Sequence, residues 1–256
     1  MDLVIGNTSQ LGVLLPDNMV KISSRNINTN EVSGYDTVYI TFAEQRTFNT
    51  ELKESDFIDV NVTYTTNLID AIHRLNKKVI IYGTFELWNG HNGPVTINTP
   101  IKYNYSPYVK SKEVLYDILL DKKSKGEWDN VFIIHPTNFN SVNRKEGFLF
   151  RKIFDSIINK VEIEVGDLDI NRDLIHPNYL VKESLTCDKN MVVGSGKLTN
   201  LKMFITALYQ SCGLNYNDYV IENIGDTSPH KNNGFWLNTE NVYNDLLKDT
   251  INEIRK

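Results

Sequence analysis

The sequence has few cysteines, no long apolar run and no basic leader. Its two cysteines, Cys187 and Cys212, are too few for a disulfide framework and lack metal-ligand spacing. We therefore expect reduced thiols and no metal site. No apolar run approaches the roughly 18 residues of a membrane span. The opening MDLVIGNTSQLG lacks the basic segment and apolar region of a signal peptide. These absences predict a cytoplasmic protein without a membrane partner.

An excess of basic charge is also missing, because the formal net charge is −5. Proteins that bind nucleic acid usually carry a basic face, so this charge argues against a nucleic-acid partner. An anionic small molecule is compatible with it, since a local site can be positive on an acidic protein. The chain has 256 residues, 41% hydrophobic and 23% charged, which suits a globular protein with a sizeable core.

Short apolar runs alternate with segments of helical periodicity in the first part of the chain. The runs DLVIG, MVKIS, YDTVYITFA, KKVIIYGTF and NVFIIHP are typical of strands. Residues 56–75 have apolar side chains at helical spacing. A second helix is predicted with Ser106 as its N-cap and Pro107 at its first position. This alternation indicates an α/β fold, a doubly wound and mostly parallel sheet.

The alternation becomes less regular after about residue 140. GFLFRKIFDSIINK and NLKMFITALYQSCGL have helical patterns there. We expect residues 1–140 to form a dinucleotide-binding Rossmann domain, with a return to it near 172–187. Residues 141–256 are expected to form a small substrate-binding domain over the carboxyl edge of the sheet, where open α/β folds bind ligands.

A turn of small residues follows the first predicted strand, in the sequence VIGNTSQLG. It contains Gly6, Ser9 and Gly12 at intervals of three, with Gln10 and Leu11 beside them. A strand, such a turn and a helix N-terminus can bind a pyrophosphate through exposed amides and the helix dipole. An ordinary tight turn is the alternative. The position at the start of an alternating chain favours the dinucleotide site.

The second predicted strand ends in ISSRN. An acidic residue near this point reads the ribose of NAD, whereas an arginine with hydroxyl neighbours suits the 2′-phosphate of NADP. Ser24 and Arg25 therefore favour NADP(H), with NAD(H) as the alternative. An exposed arginine in an ordinary loop would look the same.

Tyr108 and Lys112 are four residues apart and so lie on one face of the predicted helix. A free tyrosine titrates near pH 10, about three units above neutrality, and a neighbouring ammonium lowers that pKa. The pair can then pass a proton to or from a carbinol oxygen while a nicotinamide exchanges hydride at the carbon. Since this spacing also occurs by chance, the surrounding motifs decide its meaning.

These motifs together resemble the extended short-chain dehydrogenase/reductase family, which includes nucleotide-sugar epimerases, dehydratases and reductases. GNTSQLG resembles its Gly-x-x-Gly-x-x-Gly loop, with Ser9 for the middle glycine. VYITFA resembles the strand end over the cofactor, which implies Phe42 and Ala43 as cofactor contacts. FIDVNVTYTTNLIDAI resembles its asparagine-containing helix, with Asn61 at the asparagine. VIIYGTFELWNG and SPYVKSK resemble the segments that carry the catalytic hydroxyl and the Tyr-x-x-Ser-Lys helix.

Later segments extend the resemblance through nearly the whole chain. HPTNFN is similar to an Arg-Pro-x-Asn turn that reaches the substrate, with His135 for the arginine and Asn138 retained. NRDLIHPNYLV is similar to a segment whose arginine grips the nucleotide diphosphate, a role that falls to Arg172. The sequence departs from the family at Ser9, in the short stretch before YDTVYITFA, and in the missing acidic residue of IHPNYLV. The helix and strand that usually flank the adenine are therefore expected to be missing.

The resemblance implies a role for each residue near the reacting carbon. Tyr108 would be the acid/base, Lys112 would lower its pKa and bind the nicotinamide ribose, and Thr84 would hydrogen-bond the reacting oxygen. Glu86 stands where dehydratases carry a glutamate, and could move a proton on a carbon next to a carbonyl; a solvated loop carboxylate is the alternative. Dehydratases usually have an aspartate where this chain has Phe85, which argues against dehydration.

By resemblance, the closest type is a GDP-fucose synthase-like reductase that uses NADPH to reduce a nucleotide-linked 4-keto-6-deoxyhexose, with or without epimerisation. A C4 epimerase and a 4,6-dehydratase are the alternatives within the family. A non-catalytic dinucleotide sensor or scaffold, or an inactive partner subunit, would have the same fold. Retention of Thr84, Tyr108 and Lys112 together favours an enzyme. Relatives often dimerise through a helix bundle that includes the Tyr-Lys helix, which implies a homodimer.

Overall fold

The structure is a computed structural model that describes residues 1–25, 27–47, 49–102, 106–142, 144, 146–223 and 234–255. Within these ranges, no helix has both the length and the apolar character needed to cross a bilayer.

The strands of the described residues are mostly short. They are β1 (Leu3–Ile5), β2 (Val20–Ile22), β3 (Thr37–Ile40), β4 (Lys78–Tyr82), β5 (Gly93–Val95), β6 (Val131–Pro136), β7 (Asn138–Phe139), β8 (Ile163–Val165), β9 (Asn171–Arg172), β10 (Leu174–Ile175), β11 (Met191–Val193), β12 (Thr199–Asn200), β13 (Val220–Glu222) and β14 (Phe235–Leu237).

The helices of the described residues vary more in length. They are α1 (Gln10–Leu14), α2 (Thr29–Val32), α3 (Glu54–Ile58), α4 (Thr65–His73), α5 (Pro107–Ser124), α6 (Leu149–Asn159), α7 (Pro177–Leu185), α8 (Leu201–Ser211) and α9 (Leu246–Ile254), with a π-helical segment at Asp59–Tyr64 and 3₁₀ turns at Phe85–Trp88 and Tyr216–Asp218.

A central sheet has the strand order β11-β6-β4-β3-β1-β2. Its pairings from β2 to β6 are parallel. Parallel strands covered on both faces are apolar along their whole length, and residues 79–81 of β4 are buried accordingly. The order reverses between β1 and β3, which creates the crevice at the carboxyl edge where such folds bind ligands. The predicted Rossmann-type α/β fold is confirmed.

The connection from β2 to β3 is abbreviated. Among the described residues it contains only the four-residue helix α2, and β2 is the outermost strand at its edge of the sheet. This agrees with the loss of a helix and a strand that was expected from the short sequence between MVKIS and YDTVYITFA.

The helix predicted for residues 56–75 begins and ends two residues earlier, and it is not α-helical throughout. It consists of α3, the π-helical segment Asp59–Tyr64 and α4 in succession. The hydroxyl of Thr65 donates to the carbonyl of Val60, five residues back, at 2.9 Å. The π-helix is rare, and apolar periodicity did not predict this segment.

The described chain divides into two compact units. The first comprises residues 1–89, 101–136 and 181–192, and the second comprises residues 90–100, 137–180 and 193–256. In the second unit, the buried carboxylate of Asp173 accepts hydrogen bonds from the backbone amides of Ser195 (2.6 Å) and Leu237 (2.9 Å) and so joins distant segments. The domain boundary predicted at residue 140, the return near 172–187 and the substrate-binding role of 141–256 remain predictions.

Candidate active site

The loop between β1 and α1 is closed by the serine that replaces a glycine. The Ser9 hydroxyl caps α1 by accepting the N–H of Gly12 at 2.9 Å, and it donates to the Thr41 hydroxyl at 2.8 Å. Thr41 Oγ1 in turn lies 3.1 Å from the carbonyl of Gly6. A helix cap of this kind stabilises a helix by about 1 kcal/mol. Ser9 therefore orders the loop.

Both flanking glycines are required by close approach of the backbone. A Cβ on Gly12 would lie 2.2 Å from the carbonyl oxygen of Gly6, and one on Gly6 would lie 2.9 Å from the amide of Phe42. Gly6 also has a φ of +111°, a conformation that favours glycine. This tight turn places Phe42 next to the loop, and Ala43 is the following residue of the chain; their contact with a cofactor remains a prediction.

The end of β2 is anchored by a tyrosine that the sequence did not single out. The Tyr64 hydroxyl donates to the carbonyl of Ser24 at 2.5 Å, and its ring lies 5.5 Å from that of Phe42. Arg25 is exposed and its amide donates to the hydroxyl of Ser23 at 3.1 Å. Ser24 and Phe42 thus belong to one cluster, and the Arg25 guanidinium is accessible. Tyr64 was missed because it lies among other residues at helical spacing.

Thr84 follows β4 and begins a 3₁₀ turn. Its side chain is buried, and its hydroxyl accepts the amide N–H of Glu86 at 3.3 Å. Glu86 is half-buried, whereas Phe85 between them is buried in the core. The predicted pair Thr84 and Glu86 is thus brought together by the turn.

The Tyr-Lys helix is α5, which begins at Pro107 as predicted. Lys112 is only 4% exposed, and its ammonium donates to the carbonyl of Tyr82 at 2.8 Å, two residues before Thr84. Burial lowers the pKa of Lys112 from 10.5 to about 8, so the group is still mostly protonated at neutral pH. Tyr108, one turn earlier, is half-buried. A cation is therefore held at the carboxyl end of β4, at the carbonyl two residues before Thr84.

Two further residues fix the first turn of this helix. The Ser111 hydroxyl donates to the carbonyl of Tyr108 at 2.7 Å and accepts from the amide of Asn61 at 2.9 Å. Asn61, in the π-helical segment, also accepts from the N–H of Glu44 at 2.8 Å and donates to its carbonyl at 2.9 Å. The motif SPYVKSK contained the signal for Ser111, but no role was predicted for it.

His135 does not lie where the sequence placed it. The resemblance put it in a turn that reaches the substrate, but its side chain is completely buried. The ring packs between aromatic side chains in the first unit. An imidazole is small enough to be enclosed where a guanidinium would need charge partners.

Asn138 and Arg172 both belong to the second unit, where they line one cavity of about 190 Å³. Phe139, Arg144 and Phe148 line it as well, with the Arg144 guanidinium 3.7 Å from the centre of the Phe148 ring. Two guanidinium groups and several phenyl rings suit an anion attached to a planar ring. Arg144 was missed because nothing in its local sequence distinguishes it from other charged loop residues.

The chain is similar in sequence to one family of known proteins. The sequence profile of the NAD dependent epimerase/dehydratase family matches residues 15–186. No curated protein sequence matches the chain.

Solved structures of similar fold cover almost the whole chain. RMD from Pseudomonas aeruginosa, complexed with NADPH, is 13% identical with a TM-score of 0.78, over 99% of this chain and 97% of the other. UDP-glucose 4-epimerase from Thermotoga maritima, with UDP-glucose, is 15% identical with a TM-score of 0.78, over 100% and 99%. The dTDP-glucose 4,6-dehydratase DesIV from Streptomyces venezuelae, with NAD, is 16% identical with a TM-score of 0.75, over 100% and 97%. At these identities the likeness shows the fold.

The buried lysine predicts a stability that depends on pH. Since folding lowers the pKa of Lys112 from 10.5 to about 8, the unfolded chain binds more protons between these pH values. The free-energy cost of burying Lys112 therefore falls as the pH rises through this window. The unfolding free energy of the parent should therefore rise by up to about 3 kcal/mol across this pH window. Lys112→Met has no such group and should not show the rise.

Urea denaturation of both proteins at a series of pH values, at constant salt, measures this difference. Lys110→Met is the control, because its side chain lies on the same helix and is 41% exposed. A difference between Lys112→Met and the parent that stays constant across the window would contradict the prediction.

Proposed function

We propose that this chain, which belongs to the NAD dependent epimerase/dehydratase family, is an NADPH-dependent reductase of a nucleotide-linked 4-keto-6-deoxyhexose. The family predicted from the sequence motifs is confirmed by the profile match, and the chain is thereby assigned to a family of enzymes. The observation that carries the finer proposal is the arrangement at the end of β4. There the buried ammonium of Lys112 donates to the carbonyl of Tyr82, two residues before the buried Thr84, and Tyr108 lies one turn earlier on the helix that carries Lys112.

Each of these groups has a role at the reacting oxygen. During reduction a carbonyl oxygen becomes an alcohol and needs a proton, which the phenol of Tyr108 donates. The Lys112 cation favours the phenolate that is left, so the tyrosine becomes a stronger acid. The Thr84 hydroxyl hydrogen-bonds the same oxygen and orients the carbonyl. When bound, a nicotinamide dinucleotide supplies the hydride to the carbonyl carbon.

The described residues fit such a dinucleotide. The Gly6–Gly12 loop has the close backbone packing that a pyrophosphate loop needs, since neither glycine has room for a side chain. Ser9, Gln10 and Leu11 lie in this loop at the start of α1. Ser24 and Arg25 would hold the 2′-phosphate of NADPH, and Lys112 the ribose hydroxyl groups. NAD(H) is the alternative if Arg25 makes no such contact.

The cavity of the second unit supports a nucleotide sugar as the substrate. Arg172 would pair with the diphosphate, since a guanidinium binds phosphate oxygens in a bidentate way. Asn138 would hydrogen-bond the sugar. The likeness to UDP-glucose 4-epimerase with UDP-glucose supports this class of substrate. The second unit then acts as the substrate-binding domain.

Two observations favour reduction over the other reactions of the family. Phe85 occupies the position of the dehydratase aspartate and is 3% exposed, so no acid is available there to protonate a leaving hydroxyl. The connection from β2 to β3 has only the short helix α2. A small adenosine site suits an enzyme that releases its cofactor in each turnover. Glu86, half-buried next to Thr84, favours epimerisation as a second activity.

The proposal is tested by incubating the purified protein with NADPH and a panel of GDP-, UDP- and dTDP-linked 4-keto-6-deoxyhexoses. Absorbance at the NADPH band and product analysis are followed together. Oxidation of NADPH with loss of the ketone supports reduction. A changed sugar without net oxidation would point to epimerisation instead. Tight dinucleotide binding without any product would favour a sensor or scaffold.

Replacing Tyr108 by phenylalanine should remove the proton donor while leaving the ring and the helix in place. We expect Tyr108→Phe to lower turnover by about 10²- to 10⁴-fold, with little change in NADPH affinity measured by fluorescence titration. Tyr39→Phe is the matched control, because Tyr39 is a buried tyrosine within β3. An unimpaired Tyr108→Phe variant would refute the acid/base role.

Replacing Arg25 should remove the preference between the two cofactors. A charged contact to the 2′-phosphate is worth roughly 1.5–3 kcal/mol, so the parent should bind NADPH about 10- to 100-fold more tightly than NADH. Arg25→Ala should bind both with the affinity of NADH. The control is Arg74→Ala, which removes an exposed arginine at the end of α4. Equal affinities in the parent would rule out the 2′-phosphate contact.

A further inference from the structure

His135 is enclosed in the first unit by two aromatic rings and a glycine. Its ring makes edge contacts with Trp88, at 5.3 Å, and with Tyr116, at 4.7 Å between ring centres. On a third side lies Gly83, where a Cβ would stand 2.3 Å from Nδ1 of the histidine. Gly83 therefore provides the space into which the imidazole fits. The ring is held in one orientation by this packing.

That orientation directs one ring nitrogen at the residue predicted to hold the substrate oxygen. Nδ1 of His135 lies 3.2 Å from the carbonyl oxygen of Thr84. A carbonyl is only an acceptor, so Nδ1 must carry the proton for this contact to be attractive. Among the described residues, Nε2 has no hydrogen-bond partner. A proton there would be buried without an acceptor, which again favours the Nδ1–H tautomer.

The ring stays neutral at the pH values at which enzymes work. Burial lowers the pKa of His135 to about 3, and the nearby charge of Lys112 acts in the same direction. The Nδ1–H donor is therefore present throughout the neutral range. It is a constant part of the site and not a proton carrier.

We propose that His135 is a positioning residue, whose Nδ1–H holds the carbonyl of Thr84 and thereby fixes the Thr84 hydroxyl for the substrate. The backbone around Gly83 is then held on both sides. The Lys112 ammonium donates to the carbonyl of Tyr82 at 2.8 Å, and the His135 imidazole to that of Thr84. Two buried donors thus fix three consecutive residues where β4 ends. Catalytic groups must be held to within about 0.5 Å of their working position, and this pair supplies that constraint.

The tautomer can be tested without any substrate. The chain is labelled with ¹⁵N at its five histidines, and long-range ¹H–¹⁵N spectra are recorded across the neutral pH range. The signals of His135 are assigned by their loss in His135→Asn. We expect a protonated Nδ1 and an unprotonated Nε2 that do not change with pH. A neutral ring with its proton on Nε2 would overturn the proposal, because Nδ1 would then be an acceptor and could not donate to the carbonyl of Thr84.

Turnover tests the consequence, and this arm rests on the proposed function. His135→Phe keeps a flat ring but removes the donor, and it should lower kcat by about 10- to 100-fold through misplacement of Thr84. KM for the nucleotide 4-ketosugar should stay within about threefold, because ground-state binding is not what is lost. His135→Asn places an amide N–H near the position of Nδ1 and should restore most of kcat.

A control variant on the same strand distinguishes a positioning role of His135 from a purely structural one. Val131→Ala creates a cavity at a fully buried position of β6 and should destabilise the fold while preserving kcat. If His135→Asn loses as much kcat as His135→Phe, or if Val131→Ala lowers kcat equally, the positioning role is wrong. A parent protein that reduces no nucleotide 4-ketosugar would refute the proposed function, and the tautomer measured by ¹⁵N spectra would then decide the inference by itself.

Discussion

The buried hydrogen bond between the Lys112 ammonium and the Tyr82 carbonyl is the interaction on which the site depends. Removing an ammonium from water costs several kcal/mol, and only a well-placed acceptor offsets part of that cost. The lowered pKa of Lys112 reports the remaining penalty. An apolar side chain of similar size at this position would avoid this penalty. Under the proposed function the cation has a use that an apolar side chain lacks, because it supplies a positive charge one helical turn from Tyr108.

Small hydroxyl groups provide much of the remaining order around the site. Ser9 and Thr41 join the loop after β1 to the end of β3, and Ser111 joins the Tyr-Lys helix to Asn61. Each hydroxyl both donates and accepts, so it can satisfy two backbone or side-chain groups at once. Ser9, in place of a loop glycine, is a departure from the family pattern. In the folded chain its hydroxyl caps α1 and so orders the loop.

Strand and helix identities in the first part of the chain followed well from the sequence. The runs DLVIG and KKVIIYGTF became buried parallel strands, and α5 begins at Pro107 as its Ser-Pro start predicted. Such features are local, because a strand buried on both faces is a continuous apolar run and a helix start is indicated by its first few residues. The π-helical segment and the buried place of His135 could not be predicted in this way. Both depend on what segments distant in sequence, such as Glu44 and Gly83, present to them.

The sequence by itself determined the fold class and the family and predicted the residue types of the candidate site, since period, order of motifs and the Tyr-Lys spacing are properties of a linear chain. Only the tertiary structure decided which groups meet: that Lys112 binds Tyr82, that Ser9 bonds to Thr41, and that His135 reaches Thr84. The physical reason is that burial and hydrogen-bond partners are set by the packing of segments that are distant in the sequence. The local sequence around a residue does not specify which distant residues will contact it.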